Sequence, residues 1–289
     1  MAHPPAPVDR EPATFVDAEG VTIHYYRWRA AAPRAVVQIL HGIGEHALRY
    51  EELAQALVAA GYTVYADDHR GHGETWREQW HGDPAKLGRL GVGGVRATVA
   101  GLRRFARIIR EAEPGLPLVL LGHSMGAIFG QKLIDADSRD WDAVVFSGAA
   151  YRTLTDMNAG DLNKRHAAEG ETGYEWLSRD RAVVAAAAAD PLMTVATTMK
   201  LFGLADSLRL LGTPKPLATD PPMLIQVGED DTLGGPRSVE KLARAYRERG
   251  GLHDVEVKVY PGARHEVYNE TNRAEVRADL IAWLDAHVG

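Results

Sequence analysis

The chain reads as an α/β protein: a mostly parallel central sheet with helices on both faces and a helical insertion. Three observations predict this. Short apolar runs of strand length alternate with longer amphipathic runs through most of the sequence. The rhythm stops between residues 149 and 218 and returns after Pro221-Pro222. One apolar run, PLVLLG, ends in a tight glycine turn, GHSMG, that leads at once into a helical pattern.

The elements follow in order. The opening, MAHPPAPVDREPA, is Pro-rich and polar, so residues 1–13 are expected to be a flexible tail. TFVDAEGVTIHYYRW (14–28) alternates and turns at Glu19-Gly20, which predicts a hairpin. AVVQIL (35–40) is apolar and ends at His41-Gly42, a buried strand. YEELAQALVAAG (50–61) is a helix stopped by glycine, and TVYA (63–66) is the next strand. A long amphipathic helix is predicted over 95–115, ending at Pro-Gly. PLVLLG (117–122), the helix MGAIFGQKLIDA (125–136) and the strand AVVFSG (143–148) follow. Residues 149–218 hold helical and loop-like stretches and no convincing strand. The alternation then resumes with PMLIQV (222–227), a helix over 238–251, VEVKVY (255–260) and a last helix over 275–288. The core is therefore 14–148 with 219–289, and 149–218 is a helical insertion. No internal repeat is evident, and the alanine run at 185–189 reads as helix-favouring filler.

Bulk properties exclude several classes. A chain of 289 residues suits one large domain, or one domain with an insertion. Its net charge of -6 argues against a nucleic-acid partner, which needs clustered cations to neutralise phosphates. With no cysteine, disulfides, thiolate metal sites and a cysteine nucleophile are ruled out. No apolar run approaches membrane-spanning length and the N-terminus has no signal-like apolar core, so a cytoplasmic protein is expected.

In a sheet of this kind ligands sit beyond the C-terminal strand ends. GHSMG (122–126) is a G-x-S-x-G between strand and helix. So tight a turn needs small residues around Ser124 and lifts its hydroxyl to a helix N-terminus, marking it as a nucleophile. A serine hydroxyl needs a base. His265, in YPGARHEVYNE, lies on a loop between the last strand and the last helix and follows the serine in chain order. His166, His253 and His287 also follow, but they fall in the insertion, before a strand and at the chain end. The acid should leave a strand end between the two, and GEDDTL (228–233) is the one acidic strand end there. It presents Glu229, Asp230 and Asp231 in a row. Attack on a carbonyl also needs two backbone donors for the oxyanion. Met125, after the serine, supplies one. The His41-Gly42 turn supplies the other at Ile43.

Together HGIGEHALRYEELAQALVAAGYTVYADDHRGHGET, GHSMG, GEDDTL and YPGARHEVYNE resemble the α/β-hydrolase family, and its monoacylglycerol lipase and lysophospholipase branch in particular. HGxGEH-x-x-RY (41–50) and DHRGHG (68–73) are specific to that branch, and the likeness runs from about residue 14 to the end. It implies an α/β-hydrolase fold and a Ser124–Asp231–His265 triad, with Asp231 as the third residue after the strand-ending glycine. Glu229 and Asp230 are then residues of a solvated turn. It implies oxyanion donors Ile43 and Met125, and a helical cap over 149–218 that binds an acyl chain. Met157, Met193, Met199 and Phe202 are candidate lining residues there, or the cap's own core. The expected enzyme uses no cofactor and no metal. Its partner is a small ester carrying an acyl chain, with an apolar cap rim able to touch lipid surfaces in passing. Three positions depart from the pattern: Ala127 for a common glycine, Thr232 for a frequent proline, and MTVATTMKLFGL after DPL.

A peptidase of the same fold, of the prolyl aminopeptidase kind, is the first rival; such enzymes resemble HGGPG where this chain has HGIGE. Dehalogenases and epoxide hydrolases need aspartate where Ser124 stands. A non-catalytic ligand sensor is disfavoured by the ordered triad.

Overall fold

The computed structural model describes residues 7–289. Eight strands form one sheet in the order β1-β2-β4-β3-β5-β6-β7-β8. The hairpin β1 (Arg10–Val16) and β2 (Thr22–Trp28) is antiparallel, and β2 pairs antiparallel with β4. The remaining pairs among β3 (Ala35–Leu40), β4 (Tyr62–Asp67), β5 (Leu118–His123), β6 (Ala143–Ser147), β7 (Met223–Gly228) and β8 (Val255–Tyr260) are parallel.

The buried runs alternate sides as the pleat demands. Val36 and Leu40 of β3, with Leu118 and Leu120 of β5, join one hydrophobic cluster; Val37 and Ile39, with Val119 and Leu121, join the other. Such strands lose both faces to the core, so no polar alternation shows in AVVQIL or LVLL. Helix α1 (Glu51–Ala59) packs on the second face. The short α2 (Gly73–Gln79) follows β4. The long α3 (Gly94–Ala112) and α4 (Met125–Ala136) cover the first face through Leu102, Phe105, Ile128 and Phe129. Between β6 and β7 the described residues form α5 (Arg181–Ala189), α6 (Thr198–Leu210) and a short 3₁₀ turn, but no strand. Then α7 (Gly235–Ala245) joins the first face and α8 (Arg273–His287) the second.

The expected tail of residues 1–13 is corrected from its C-terminal side; residues 1–6 lie outside the described ones. β1 begins at Arg10, and Arg10–Ala13 pair with Trp28–Tyr25. The Glu11 carboxylate accepts from the Arg27 guanidinium across that pair. The strand is at the sheet edge, where Pro12 costs no ladder bond if its nitrogen faces outward. Proline content and exposed side chains hid it.

Candidate active site

Strand order reverses between β3 and β5. The chain goes from β3 outward to β4, then returns to β3's other side. A crevice opens at such a point beyond the strand ends. Here those ends carry HGIGEH and GHSMG.

Only Ser124 separates β5 from α4. It takes φ 54° and ψ −118°, a conformation rare outside glycine. The flanking glycines make the turn possible. A Cβ on Gly122 would lie 2.6 Å from the Gly126 oxygen, and one on Gly126 would overlap the Leu40 carbonyl. The Ser124 N–H donates to Ser147 O at 2.9 Å. Met125 opens α4, so its N–H has no carbonyl one turn back.

β7 ends at Gly228, where a Cβ would overlap the carbonyls of Ala263 and Arg264. The acidic turn thus lies backbone against backbone on the His265 loop, and its three acids diverge. Asp230 meets Arg165 at the surface, 2.8 Å. Glu229 is exposed yet accepts the Gly262 N–H at 2.8 Å, so it also holds the turn leading to His265. Asp231 points inward. Its Oδ1 accepts the Leu233 N–H at 2.8 Å and meets His265 Nδ1 at 2.9 Å, with both side chains buried. His265 Nε2 has no hydrogen-bond partner among the described residues. Burial pushes this imidazole down. The Asp231 charge and bond, with the Glu266 and Glu45 charges, outweigh it, so His265 titrates above the ordinary histidine value.

Ile43 sits between two N–H groups that are already engaged. Gly42 N–H donates to Glu45 Oε1, and Gly44 N–H to His72 Nε2 at 3.1 Å. No hydrogen bond engages the Ile43 N–H among the described residues. Beneath this loop Arg49 bridges two buried carboxylates. It donates to Glu45 at 3.2 Å and to both oxygens of Glu266 at 2.7 and 2.5 Å. Burial and the Glu266 charge push the Glu45 carboxyl up. Burial acts most strongly on Glu266 and would raise it, but Arg49, His123 and the Asn269 bond together outweigh it and hold the carboxyl below its usual range.

The insertion completes the surroundings. Glu266 N–H donates to Leu177 O at 2.8 Å, Arg264 reaches Glu175 O at 2.6 Å, and the Trp176 ring centroid lies 4.5 Å from that of His265. Thr194 N–H donates to Gly44 O at 2.9 Å, and His46 Nε2 meets Asp190 at 2.8 Å. A cavity of about 630 Å³ lies between insertion and core. Ser124, His265, Ile43 and Met125 line it, as do Met157 and Met193. Met199 and Phe202 do not, which corrects that expectation. Leu201 takes the inward place on this turn of α6, against Gly88. Met199 is left to solvent, 51% exposed, and Phe202 lies on the core cluster. Tyr174, Trp176, Leu177 and Leu210 line the cavity without having been singled out; the GYEWLSRD stretch was the available signal for the first three.

Fold and site define the class first: an α/β-hydrolase, and within it a carboxylic ester hydrolase. The model of the family described as "Serine aminopeptidase, S33" matches residues 31–272. The monoacylglycerol lipase of Mycolicibacterium smegmatis is 32% identical, covering 96% of this chain and 98% of that protein. The human monoglyceride lipase is 28% identical, covering 89% of this chain and 84% of that one. A carboxyl esterase structure from Bacillus coagulans superposes with a TM-score of 0.81 at 23% identity, covering 97% of this chain and 99% of that one, a likeness of fold. The chain belongs to this α/β-hydrolase family, in its monoacylglycerol lipase-like branch.

Proposed function

We propose that the chain hydrolyses monoacyl lipid esters, monoacylglycerols or lysophospholipids, and small synthetic esters through a Ser124 acyl-enzyme. The observation that carries this is the buried Asp231–His265 pair: His265, whose Nε2 has no partner among the described residues, lines the same cavity as Ser124. Asp231 on Nδ1 keeps the proton there and leaves Nε2 as the base. Ser124 Oγ attacks the ester carbon and its proton passes to Nε2. The carbonyl electrons collect on oxygen, where Ile43 and Met125 N–H groups meet them; one such donor is worth about 2.7–4 kcal/mol. The intermediate collapses, the alcohol leaves with the imidazolium proton, and water repeats the sequence on the acyl-enzyme.

Residues 149–218 act as a cap in this reading. Ile128, Met157, Leu162, Leu210 and Leu233 give the cavity an apolar wall, and its volume suits one small ligand rather than several chains. Val195, Met199, Leu204 and Leu208 are exposed apolar side chains of the cap and offer passing contact with lipid aggregates.

The test is turnover over an acyl-length series of monoacylglycerols, lysophospholipids and aryl esters. Ser124→Ala should abolish it, with an unchanged circular dichroism spectrum, and should abolish fluorophosphonate labelling. Turnover retained by the folded variant would sink the mechanism. A prolyl anilide cleaved in preference to every ester would favour the peptidase reading instead.

A further inference from the structure

The amide that carries the Ile43 N–H is gripped at its other end. Gly42 C=O and Ile43 N–H form one planar unit and point in opposite directions. The Gly42 oxygen lies 2.7 Å from His41 Nδ1. The other ring nitrogen, Nε2, accepts the His69 N–H at 2.9 Å. A backbone N–H only donates, so Nε2 carries no proton, and the neutral ring's single proton sits on Nδ1. His41 therefore donates to Gly42 O. The ring is fully buried and stacks on His69 with centroids 3.7 Å apart. Burial, then the neighbouring imidazoles, hold it far below the ordinary histidine value, which keeps it neutral.

The next amide is pinned as well. Gly44 N–H donates to His72 Nε2, and His72 Nδ1 donates to Arg70 O at 2.9 Å. The 68–73 loop thus reaches the oxyanion turn twice, once through each histidine.

We propose that His41 is a positioning residue for the oxyanion donor. The His69 N–H selects its tautomer, and its Nδ1–H aims the Gly42–Ile43 amide so that Ile43 N–H faces the developing charge. A carbonyl that accepts a bond also polarises the N–H across its amide, which strengthens the donor. His72 holds the adjacent amide so that the turn cannot rotate. This rests on the reading of Ser124 and Ile43 given above.

The experiment measures kcat and KM on a chromogenic ester, and inhibition by a trifluoromethyl ketone, with the full chain. The ketone forms a hemiketal: the Ser124 Oγ–carbon bond forms, the carbonyl π pair moves to oxygen, and the serine proton passes to His265. His41→Leu should lower kcat by about tenfold to a hundredfold, as a misaimed donor does, with KM within about twofold. Ketone affinity should fall by the same factor as kcat/KM. His41→Asn, whose amide N–H stands near the Nδ1 place, should recover most of kcat. His41→Gln, whose amide stands near the Nε2 place, should not. If His41→Leu fails to fold, the Asn and Gln variants decide alone. Equal kcat in those two, a rise in KM at constant kcat, or unaltered ketone affinity overturns the inference. Ser124→Ala is run beside them. If it still turns over ester, the reading of the site fails; if it is dead while His41→Leu keeps its kcat, only the role of His41 fails.

Discussion

Asp231→Asn separates the charge of the acid from its geometry. Asp231 Oδ1 receives two donors, Leu233 N–H and His265 Nδ1, while Oδ2 has no partner among the described residues. Leu233 N–H can only donate, so the substituted amide keeps its oxygen there and turns its NH₂ to the Oδ2 side. The His265 tautomer survives, and what is lost is the full charge facing the imidazolium. Opposite charges about 4 Å apart are worth about 4 kcal/mol at an effective dielectric near 20. The amide dipole returns part of that, so the transition state loses about 2–4 kcal/mol, and kcat falls about 30- to 1000-fold. The loss is milder than the ~10⁴-fold seen where the amide inverts the tautomer. The assay is kcat on a saturable chromogenic ester across pH. Without Asp231 the imidazole loses its main upward push, so the acid limb of kcat/KM moves to lower pH. Asp230→Asn, which touches only the exposed Arg165, should stay within about twofold. A kcat for Asp231→Asn within about fivefold of the parent refutes the reasoning, as does greater damage from Asp230→Asn.

Two more outcomes follow from the elbow and the buried imidazoles. Gly126→Ala puts a methyl into the Leu40 carbonyl, a backbone atom that cannot step aside, and should cost about 3 kcal/mol or more in urea unfolding; an unchanged midpoint would mean that α4 slides freely. His41, His72 and His123 are held below the ordinary value, chiefly by burial, the last two at about 3. Unfolding releases them to titrate near 6.5, so the unfolded chain binds the extra protons and stability drops as pH falls below that. The slope approaches three protons, about 4 kcal/mol per pH unit. His265 is raised, so its contribution is complete below the ordinary value and fades only above it. Urea midpoints that stay flat from pH 6.5 to 5 would contradict this.

Strands β3 to β7 were legible because burial on both faces makes them largely apolar runs, β8 because the edge strand VEVKVY alternates, and the helix of residues 125–136 was read at its true bounds. α2 escaped because GETWREQ is too short to show a period. The hairpin was read from residue 14, but the first half of β1, Arg10–Ala13, escaped because that part of an edge strand buries no residue and has no apolar signature. In the candidate site, Ser124, His265 and the acidic turn of residues 229–231 were readable as punctuation at strand ends. Spacing alone left three acids open, and the resemblance chose among them. Contacts between loops were not readable. Nothing local in His41, His72 or Glu45 says that each hydrogen-bonds the oxyanion turn. Met199 and Phe202 failed because composition names the apolar residues of α6 but not which of them Gly88 admits.

Those loop contacts explain why the branch motifs need so many charged residues close to an apolar cavity. Arg49 is a single cation between Glu45 and Glu266, all three buried. Glu45 fixes Gly42 N–H, and Glu266 follows His265 in the chain. The guanidinium therefore ties the proposed oxyanion turn to the loop that carries His265. A hydrophobic substitute could fill the space, since buried ion pairs add little net stability. It could not engage the Gly42 N–H, which in the proposed mechanism leaves Ile43 as the donor. The Glu266 and Glu45 charges also add to the push of Asp231 on the imidazole. In the proposed mechanism the same three side chains thus select the donor on one loop and support the charge of the base on the other.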